Sequence, residues 1–276
     1  MLGLGRAGRA LLAEYRLAGL RVVGAWNRTD RSFSMPDDVP LVFGGDAGEA
    51  LLGWAPDVVL LCVSDDALAD VLEGLHVPPG TVLLHTSGSL PLSALPARPD
   101  LHLGGWHPLQ SFGATSDGRA PVPAYCVALD GDDRAIEIGR SLAAATGHPS
   151  VVVRGPAKAA YHAAAVLASN AFVALEAAAV RVMETAGVAP EDCWALLKPL
   201  VHGTLENLSE GGFRAAITGP VARGDADTVA RNMEAIRGVP GASEIYRALG
   251  LEALAVAGPD LTSDEADRVR AALMKI

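Results

Sequence analysis

Short apolar runs alternate with amphipathic stretches through the first half of the chain. The clearest run, residues 57–63, is apolar at nearly every position, as a strand buried on both faces of a sheet should be. Other runs predict strands at 21–26, 39–43, 81–85, 125–129 and 150–153, and helical patterns at 6–18, 65–75 and 132–146 separate most of them. Alternating strands and helices predict an α/β fold, with a doubly wound parallel sheet covered by helices on both faces.

Beyond residue 154 the strand-like runs disappear and alanine-rich helical patterns replace them. Residues 1–154 are therefore predicted to form the sheet domain, and residues 155–276 an all-helical domain. The stretch 104–123, rich in Pro, Gly and Ser, is predicted to be a long functional loop. The helices predicted after the boundary span 156–186, 190–208, 225–237, 242–257 and 263–274.

The charge balance limits the classes of partner. With 22 Lys and Arg against 32 Asp and Glu, the net charge is -10, and no basic run is present. Nucleic acid and anionic membranes are therefore not expected partners. Residues 157–180 are strongly apolar, but they include Lys158, His162, Asn170 and Glu176, so a long buried helix is expected rather than a membrane span.

The cysteines and the first residues indicate a cytoplasmic protein. Cys62, Cys126 and Cys193 lie far apart with no metal-ligand spacing, which favours reduced thiols and no metal site. The chain does not open with a charged segment followed by an apolar one, so no secretory signal is expected.

A glycine pattern lies at the start of the chain. Gly3, Gly5 and Gly8 fit G-x-G-x-x-G, in which the glycines allow a tight turn, a close approach to a pyrophosphate and the packing of helix on strand. A helical pattern follows, so the pyrophosphate is expected at the helix N-terminus, against Gly3, Gly5, Arg6, Ala7 and Gly8. This pattern predicts a Rossmann domain.

The strand that should precede the glycines is short. Only Met1 and Leu2 stand before Gly3, whereas a mean strand has about five residues. Two interpretations remain open: the start of the chain is set too late, or the first strand is stunted.

The residues after the second strand of that pattern favour NADP over NAD. Asn27 stands where an NAD enzyme usually has a carboxylate, and Arg28, followed by Thr29, can pair with a 2′-phosphate. The alternative is that Arg28 only begins a solvated turn. Ser64, at the end of a later strand, is a further expected cofactor contact.

Two regions supply candidate substrate and proton-transfer residues. Ser87 follows a strand end and His107 lies in the long predicted loop; both are predicted to contact substrate, although either could be structural. Lys158 and His162 share one stripe of the long predicted helix, with Asn170 on the adjacent face. We predict these three as catalytic residues, with Lys158 or His162 giving a proton to the oxygen formed when hydride reaches a carbonyl.

The whole chain resembles a bacterial family of uncharacterised Rossmann-like oxidoreductases. That resemblance implies kinship with ketopantoate reductase, 6-phosphogluconate dehydrogenase, pyrroline-5-carboxylate reductase and the β-hydroxyacid dehydrogenases, with an NADP domain, a helical domain and substrate between them. Lys158 matches the lysine of the dehydrogenases, but His162 stands where their asparagine is expected. The resemblance rests on the glycine loop and on residues 27–29, 85–89, 107–110, 161–165, 169–170, 205–208, 218–220 and 223–225.

These observations lead to three functional hypotheses. The first is an NADPH-dependent reductase of a small 2-oxo acid, with ketopantoate as the leading substrate. The second is a prephenate or arogenate dehydrogenase, suggested by a local resemblance around His107-Pro108, and the third is a non-catalytic NADP-binding protein. A homodimer is also expected, because residues 156–186 are too apolar for a small helical domain to cover alone.

Overall fold

The computed structural model describes residues 1–30, 38–113 and 123–275. The chain divides into two compact units, Met1–Ser169 and Asn170–Ile276. Each unit is described by itself below.

The first unit is built on a mostly parallel sheet. Five strands follow the order β3-β4-β5-β6-β7, and β1 pairs with β2. Leu2 bridges the two groups through parallel contacts with Trp26 and Leu61, so it stands in the central strand position. The strands are β1 (Ala25–Asn27), β2 (Leu41–Phe43), β3 (Val58–Leu61), β4 (Val82–His85), β5 (His102–Pro108), β6 (Val127–Gly131) and β7 (Ser150–Val152).

Helices cover both faces of this sheet, which confirms the predicted fold class. Successive residues of a strand point to opposite faces, and the buried side chains divide accordingly: Leu60 and Leu84 pack with Trp106, whereas Val59 and Leu83 pack with the other cluster. The helices of this unit are α1 (Arg6–Leu17), α2 (Ala47–Trp54), α3 (Asp65–Gly74), α4 (Asp133–Ala145) and α5 (Ala157–Val166).

The structure corrects the prediction around residues 104–123. Residues 104–108 belong to β5, so His107 lies in a strand and not in a loop, while 114–122 fall outside the described residues. β5 and β6 are antiparallel, an exception to the predicted parallel sheet. The physical reason is that parallel neighbours need a long crossover, usually a helix, and no helical pattern was found between these two strands.

The second unit is helical among its described residues. Its helices are α6 (Phe172–Thr185), α7 (Pro190–Ala216), α8 (Ala226–Ile236), α9 (Ala242–Ala257) and α10 (Ser263–Met274). The last spans the residues predicted for it, 263–274. Thr262 is the N-cap and forms a reciprocal capping box with Glu265.

The single helix predicted over 156–186 is wrong in two respects. A π-helical segment, Leu167–Ala171, separates α5 from α6. The segment Ala157–Thr185 has 29 residues, and its most apolar stretch of 18 residues has a mean hydropathy of 1.7, enough in length and composition to cross a membrane, yet only 6% of that stretch is buried. The expectation of a buried helix fails because, among the described residues, no element covers most of its surface.

Candidate functional site

The glycine loop is shaped by contacts that no side chain would permit. Gly3 has φ +91°, and a Cβ there would lie 2.5 Å from the carbonyl oxygen of Cys62. At Gly8 a Cβ would lie 2.1 Å from the Gly3 oxygen. Gly3 and Gly8 therefore let the loop and α1 pack against β3.

Gly5 has a different environment. A Cβ at Gly5 would meet no atom within 4 Å, so this glycine leaves open space in front of the helix. Gly5 is also the N-cap of α1, where it has no side chain to accept a capping hydrogen bond, and the first turn contains no acidic residue. The first N–H groups of α1, from Arg6 and Ala7 onward, are thus available to an anion.

A cavity of about 200 Å³ lies beside the glycine loop, at the ends of β1 and β3. Asn27 anchors its wall, since its Oδ1 accepts a hydrogen bond from the Leu4 N–H at 2.9 Å and its Nδ2 donates to the Thr29 oxygen at 2.7 Å. The side-chain amide predicted to contact cofactor therefore also holds the loop in place. Arg28, Thr29 and Ser64 line the same cavity and are exposed.

Arg28 has no ion-pair partner among the residues that the structure describes. Its guanidinium is exposed at the rim of the cavity. An exposed guanidinium at this place can pair with an anion bound in the cavity, and a solvated turn has the same exposure.

A buried basic pair lies over Gly105 of β5. His85, at the end of β4, is fully buried, and Lys158, at the start of α5, is 4% exposed. A Cβ added to Gly105 would lie 3.1 Å from the Lys158 Nζ and 3.4 Å from the His85 Nε2, which places the two side chains beside each other. The Asp130 carboxylate, also buried, lies 3.9 Å from the Lys158 Nζ.

The charges of this pair follow from burial. Burial lowers the pKa of Lys158, while the carboxylates of Asp130 and Asp65 oppose that shift. Burial, helped by the positive charge of Lys158, lowers the pKa of His85 to about 3. His85 is therefore neutral near pH 7, and neither of its ring nitrogens has a hydrogen-bond partner in the described part of the chain.

His107, Tyr161 and His162 form a second group of rings, and two of them follow Lys158 closely in the sequence. The His107 Nδ1 lies 2.8 Å from the Tyr161 hydroxyl, and the His107 and His162 ring centroids are 6.3 Å apart. Burial, then the charges of His162 and Lys158, lower the pKa of His107 to about 4, and burial raises that of Tyr161 to about 12. Near neutral pH, Tyr161 is thus a phenol beside a neutral His107.

Gly88 makes room for the His107 ring. A Cβ at Gly88 would lie 2.6 Å from the His107 Nε2, so the turn after β4 and the end of β5 meet at this ring. The His162 Nδ1 is buried and has no partner among the described residues.

Asp65 connects the cavity with this cluster. Its Oδ2 accepts hydrogen bonds from the hydroxyls of Ser87, at 2.8 Å, and Ser89, at 2.7 Å. Ser64, the residue before it, occupies the N-cap position of α3 and lines the cavity. The Ser87 hydroxyl also accepts from the Leu90 N–H, so its observed contacts stabilise the turn.

The structure thus brings together most of the residues predicted from sequence. Lys158, His162 and His107 lie in one group within the first unit, and Ser64 reaches it through Asp65. Asn170 is in the second unit, where its side chain is exposed. The sequence reasoning did not select His85, Asp130 and Tyr161 as site residues. For His85 and Asp130 the available signal was a polar residue at the end of an apolar run.

Comparisons with known proteins agree with this architecture. Residues 125–253 match the family described as a domain of unknown function, DUF2520. No curated protein shows significant sequence similarity to the chain.

Solved structures show the same fold over nearly the whole chain. A candidate NADP oxidoreductase from Bacteroides fragilis is 18% identical, with a TM-score of 0.70 and coverage of 92% of this chain and 96% of that one. The protein TM1727 from Thermotoga maritima is 24% identical, with a TM-score of 0.69 and coverage of 94% and 98%. Pyrroline carboxylate reductase from Plasmodium falciparum, solved with NADP bound, is 11% identical, with a TM-score of 0.60 and coverage of 98% and 96%.

Proposed function

We propose that the protein is an NADP-dependent oxidoreductase. The observation that carries the proposal is the position of α3: Ser64 lines the cavity beside the glycine loop, and Asp65 bonds to the turn that packs on His107. A nucleotide cradle and a cluster of proton-bearing side chains therefore adjoin at the same edge of the sheet. Ligands of open α/β sheets bind outside the carboxyl ends of the strands, where both features lie.

The residues present fit a dinucleotide. The open space at Gly5 and the uncapped start of α1 suit a pyrophosphate. Arg28 would pair with a 2′-phosphate, which favours NADP over NAD. The structures described as an NADP oxidoreductase and as a reductase with NADP bound share this fold and support the same choice.

Lys158 is proposed to hold the proton that completes the reaction. A bound reduced nicotinamide supplies the hydride, and the product oxygen then needs a proton. A buried ammonium whose pKa is lowered gives up a proton more readily than an ordinary lysine, and the Asp130 carboxylate, 3.9 Å away, favours its charged form. His162, with a buried Nδ1 that lacks a described partner, is the alternative donor.

The substrate is proposed to be a small 2-oxo acid, with ketopantoate as the leading candidate. A buried cation is a suitable partner for a carboxylate or for a developing oxyanion. The neutral His107 ring, hydrogen-bonded to Tyr161, provides a further polar contact and keeps a dehydrogenase of prephenate or arogenate as the second candidate.

A substrate panel that follows the absorbance of reduced nicotinamide tests the proposal. Consumption of NADPH with 2-oxo acids supports the first candidate, and turnover of cyclohexadienyl acids with NADP but none with 2-oxo acids supports the second. The panel should include cyclic imines, because one similar structure is a pyrroline carboxylate reductase. Tight binding of NADP without turnover of any carbonyl or imine would show a non-catalytic binding protein.

We also propose that the protein is a homodimer. Large apolar side chains of the second unit are exposed, among them Val173 (66%) in α6 and Leu200 (68%) in α7. Burying such side chains is favourable by about 1.5–3 kcal/mol each. A second copy is the proposed cover because Glu176 and Arg181 lie within α6, where charges disfavour a lipid environment.

A further inference from the structure

The two ring nitrogens of His107 have different surroundings. The Nδ1 atom lies 2.8 Å from the Tyr161 hydroxyl, and the two rings meet edge to face with their centroids 5.5 Å apart. The Nε2 atom has no hydrogen-bond partner among the residues that the structure describes. The ring is therefore held at Nδ1 and available to a ligand at Nε2.

Gly88 packs on the face of this ring and leaves the edge at Nε2 open. A Cβ built on Gly88 would lie 2.6 Å from Nε2, 2.8 Å from Cε1 and 2.9 Å from Cδ2. These similar distances place Gly88 above the ring plane, because a point in line with the Nε2–H bond would lie much farther from both carbons than from the nitrogen. Gly88 therefore does not block the direction in which Nε2 forms a hydrogen bond.

The direction of the hydrogen bond between Tyr161 and His107 decides what Nε2 can do. A neutral imidazole carries its proton on one nitrogen only, and the other nitrogen is an acceptor. If the Tyr161 hydroxyl donates to Nδ1, its single proton is paired. If it accepts from Nδ1, that proton has no partner in the described part of the chain. An imidazole lone pair is also a stronger acceptor than a phenol oxygen, so the contact favours donation by Tyr161.

The neighbours of His107 favour a neutral ring. Burial, followed by the charges of His162 and Lys158 on α5, lowers the pKa of His107 to about 4, and Asp65 on α3 acts in the opposite sense. His85 on β4 is itself neutral near pH 7, since its pKa is about 3. A ring with so low a pKa is a weak base near neutral pH, but a neutral imidazole can still donate a hydrogen bond to a substrate oxygen.

We propose that Tyr161 is a positioning residue: its hydroxyl donates to the His107 Nδ1, so that His107 carries its proton on Nε2 and donates a hydrogen bond from there to an oxygen of the substrate. This inference rests on the proposed oxidoreductase function and adds the chemical class of the group bound at His107, an oxygen acceptor such as a carbonyl or a carboxylate. His107 keeps its proton throughout, and the proton that the reduced oxygen gains comes from Lys158. A dehydrogenase that uses His107 as the base for a substrate hydroxyl would need the lone pair on Nε2 instead.

Nuclear magnetic resonance of isotope-labelled histidine tests the position of the proton without any turnover. Two-bond correlations between ring protons and ring nitrogens, recorded near neutral pH on the whole protein, distinguish a proton on Nε2 from one on Nδ1. The chain has seven histidines, and the signals missing from the spectrum of His107→Gln, or of His107→Asn, are those of His107. We expect the proton on Nε2. A proton on Nδ1 would overturn the proposal whether or not the protein is an enzyme.

Turnover of ketopantoate with NADPH tests the contact with substrate. Tyr161→Phe keeps the ring and removes the hydroxyl, so kcat/KM should fall about tenfold, the effect of one hydrogen bond, while NADP affinity stays unchanged. In the His107→Gln background the same substitution should have no further effect, because Tyr161 acts through His107. Tyr246→Phe is the matched control, since it removes a phenol bonded to Asn232 in the second unit, and it should leave turnover unchanged.

The outcomes separate this proposal from the proposed function. Equal losses from Tyr161→Phe in the wild-type and His107→Gln backgrounds would overturn the role of Tyr161, because its hydroxyl would then act independently of His107. An unchanged kcat/KM in Tyr161→Phe would overturn it as well. If the wild type oxidises NADPH with no 2-oxo acid, the proposed function fails and the contact with a substrate oxygen fails with it, whereas the position of the His107 proton still decides the direction of the hydrogen bond from Tyr161.

Discussion

Lys158 combines burial with two nearby carboxylates, and these have opposite effects on its proton. Burial lowers its pKa from 10.5, and Asp130 and Asp65 act against that shift. The neutral His85 beside it adds no second positive charge. Lysines with perturbed pKa values are concentrated at functional sites, and this is the reason for proposing Lys158 as the proton donor.

Replacing Lys158 tests this assignment. Lys158→Met should lower kcat by about 10²–10⁴-fold, the usual contribution of general acid catalysis, while NADP affinity stays unchanged. His162→Ala serves as the comparison. If the large loss follows His162→Ala and not Lys158→Met, the histidine is the donor.

The pH dependence of the reaction rate is a second test of Lys158 as the proton donor. Reduction should slow as the pH rises through the pKa of Lys158, because the ammonium is the active form. Asp130→Asn removes a carboxylate that raises this pKa, so the fall in rate should move to lower pH. A profile that is identical in wild type and Asp130→Asn would contradict the role of Lys158.

Arg28 is the residue that should distinguish the two nicotinamide cofactors. Its exposed guanidinium lines the cavity and has no described ion-pair partner. Arg28→Ala should weaken NADP binding about tenfold and leave NAD binding nearly unchanged. Titration calorimetry with both cofactors checks this, and equal losses for NADP and NAD would show that Arg28 only begins a solvated turn.

At the scale of elements, two glycines of the glycine loop are expected to have different roles, one in folding and the other in cofactor binding. Gly3 is required by backbone contact, with φ +91° and a Cβ position 2.5 Å from the Cys62 oxygen, whereas Gly5 faces open space. Gly5→Val should therefore keep the fold and block the approach of a pyrophosphate. Gly3→Ala should destabilise the first unit itself.

Chemical denaturation and cofactor titration of both variants check the contrast. We expect Gly5→Val to unfold like wild type and to lose NADP affinity by tenfold or more. We expect Gly3→Ala to unfold at lower denaturant, because strain and steric overlap at such a position cost about 1–3 kcal/mol. A Gly5→Val protein that still binds NADP normally would remove the glycine loop from the proposed site.

Most elements were predictable because their patterns are local. The helix of residues 6–18 and the buried strand of 57–63 correspond to α1 and β3 within a few residues. β5 was missed because His102, Gly104 and Gly105 interrupt its apolar pattern; those glycines bring Asp130, Ala135 and Lys158 close to the strand. The contact that decides the pattern is between elements, so the pattern alone does not reveal it.

In the candidate site, too, local spacing was predictable from the sequence and contacts between elements were not. Lys158 and His162 are one turn apart on α5, and helical spacing found both. The extrapolation to Asn170 assumed a continuous α-helix, and the π-helical segment Leu167–Ala171 changes the angle per residue at that point. His85 and Asp130 come close to Lys158 only through the pairing of β4, β5 and β6, which no spacing along the chain encodes.

At the scale of the whole molecule, the exposed apolar surface of the second unit predicts a dimer that single charges can disrupt. Leu200 in α7 is 68% exposed, and Leu17 at the end of α1 in the first unit is 74% exposed. Substitution of Leu17 is therefore a suitable control for substitution of Leu200. Leu200→Glu should convert the protein to a monomer in sedimentation velocity at micromolar concentration, because it places a charge in a surface that the second copy buries. Leu17→Glu should leave the dimer intact, since that side chain lies outside the proposed interface. A wild-type protein that sediments as a monomer, or that partitions onto lipid vesicles through Ala157–Thr185, would contradict the homodimer and leave another cover for this apolar surface.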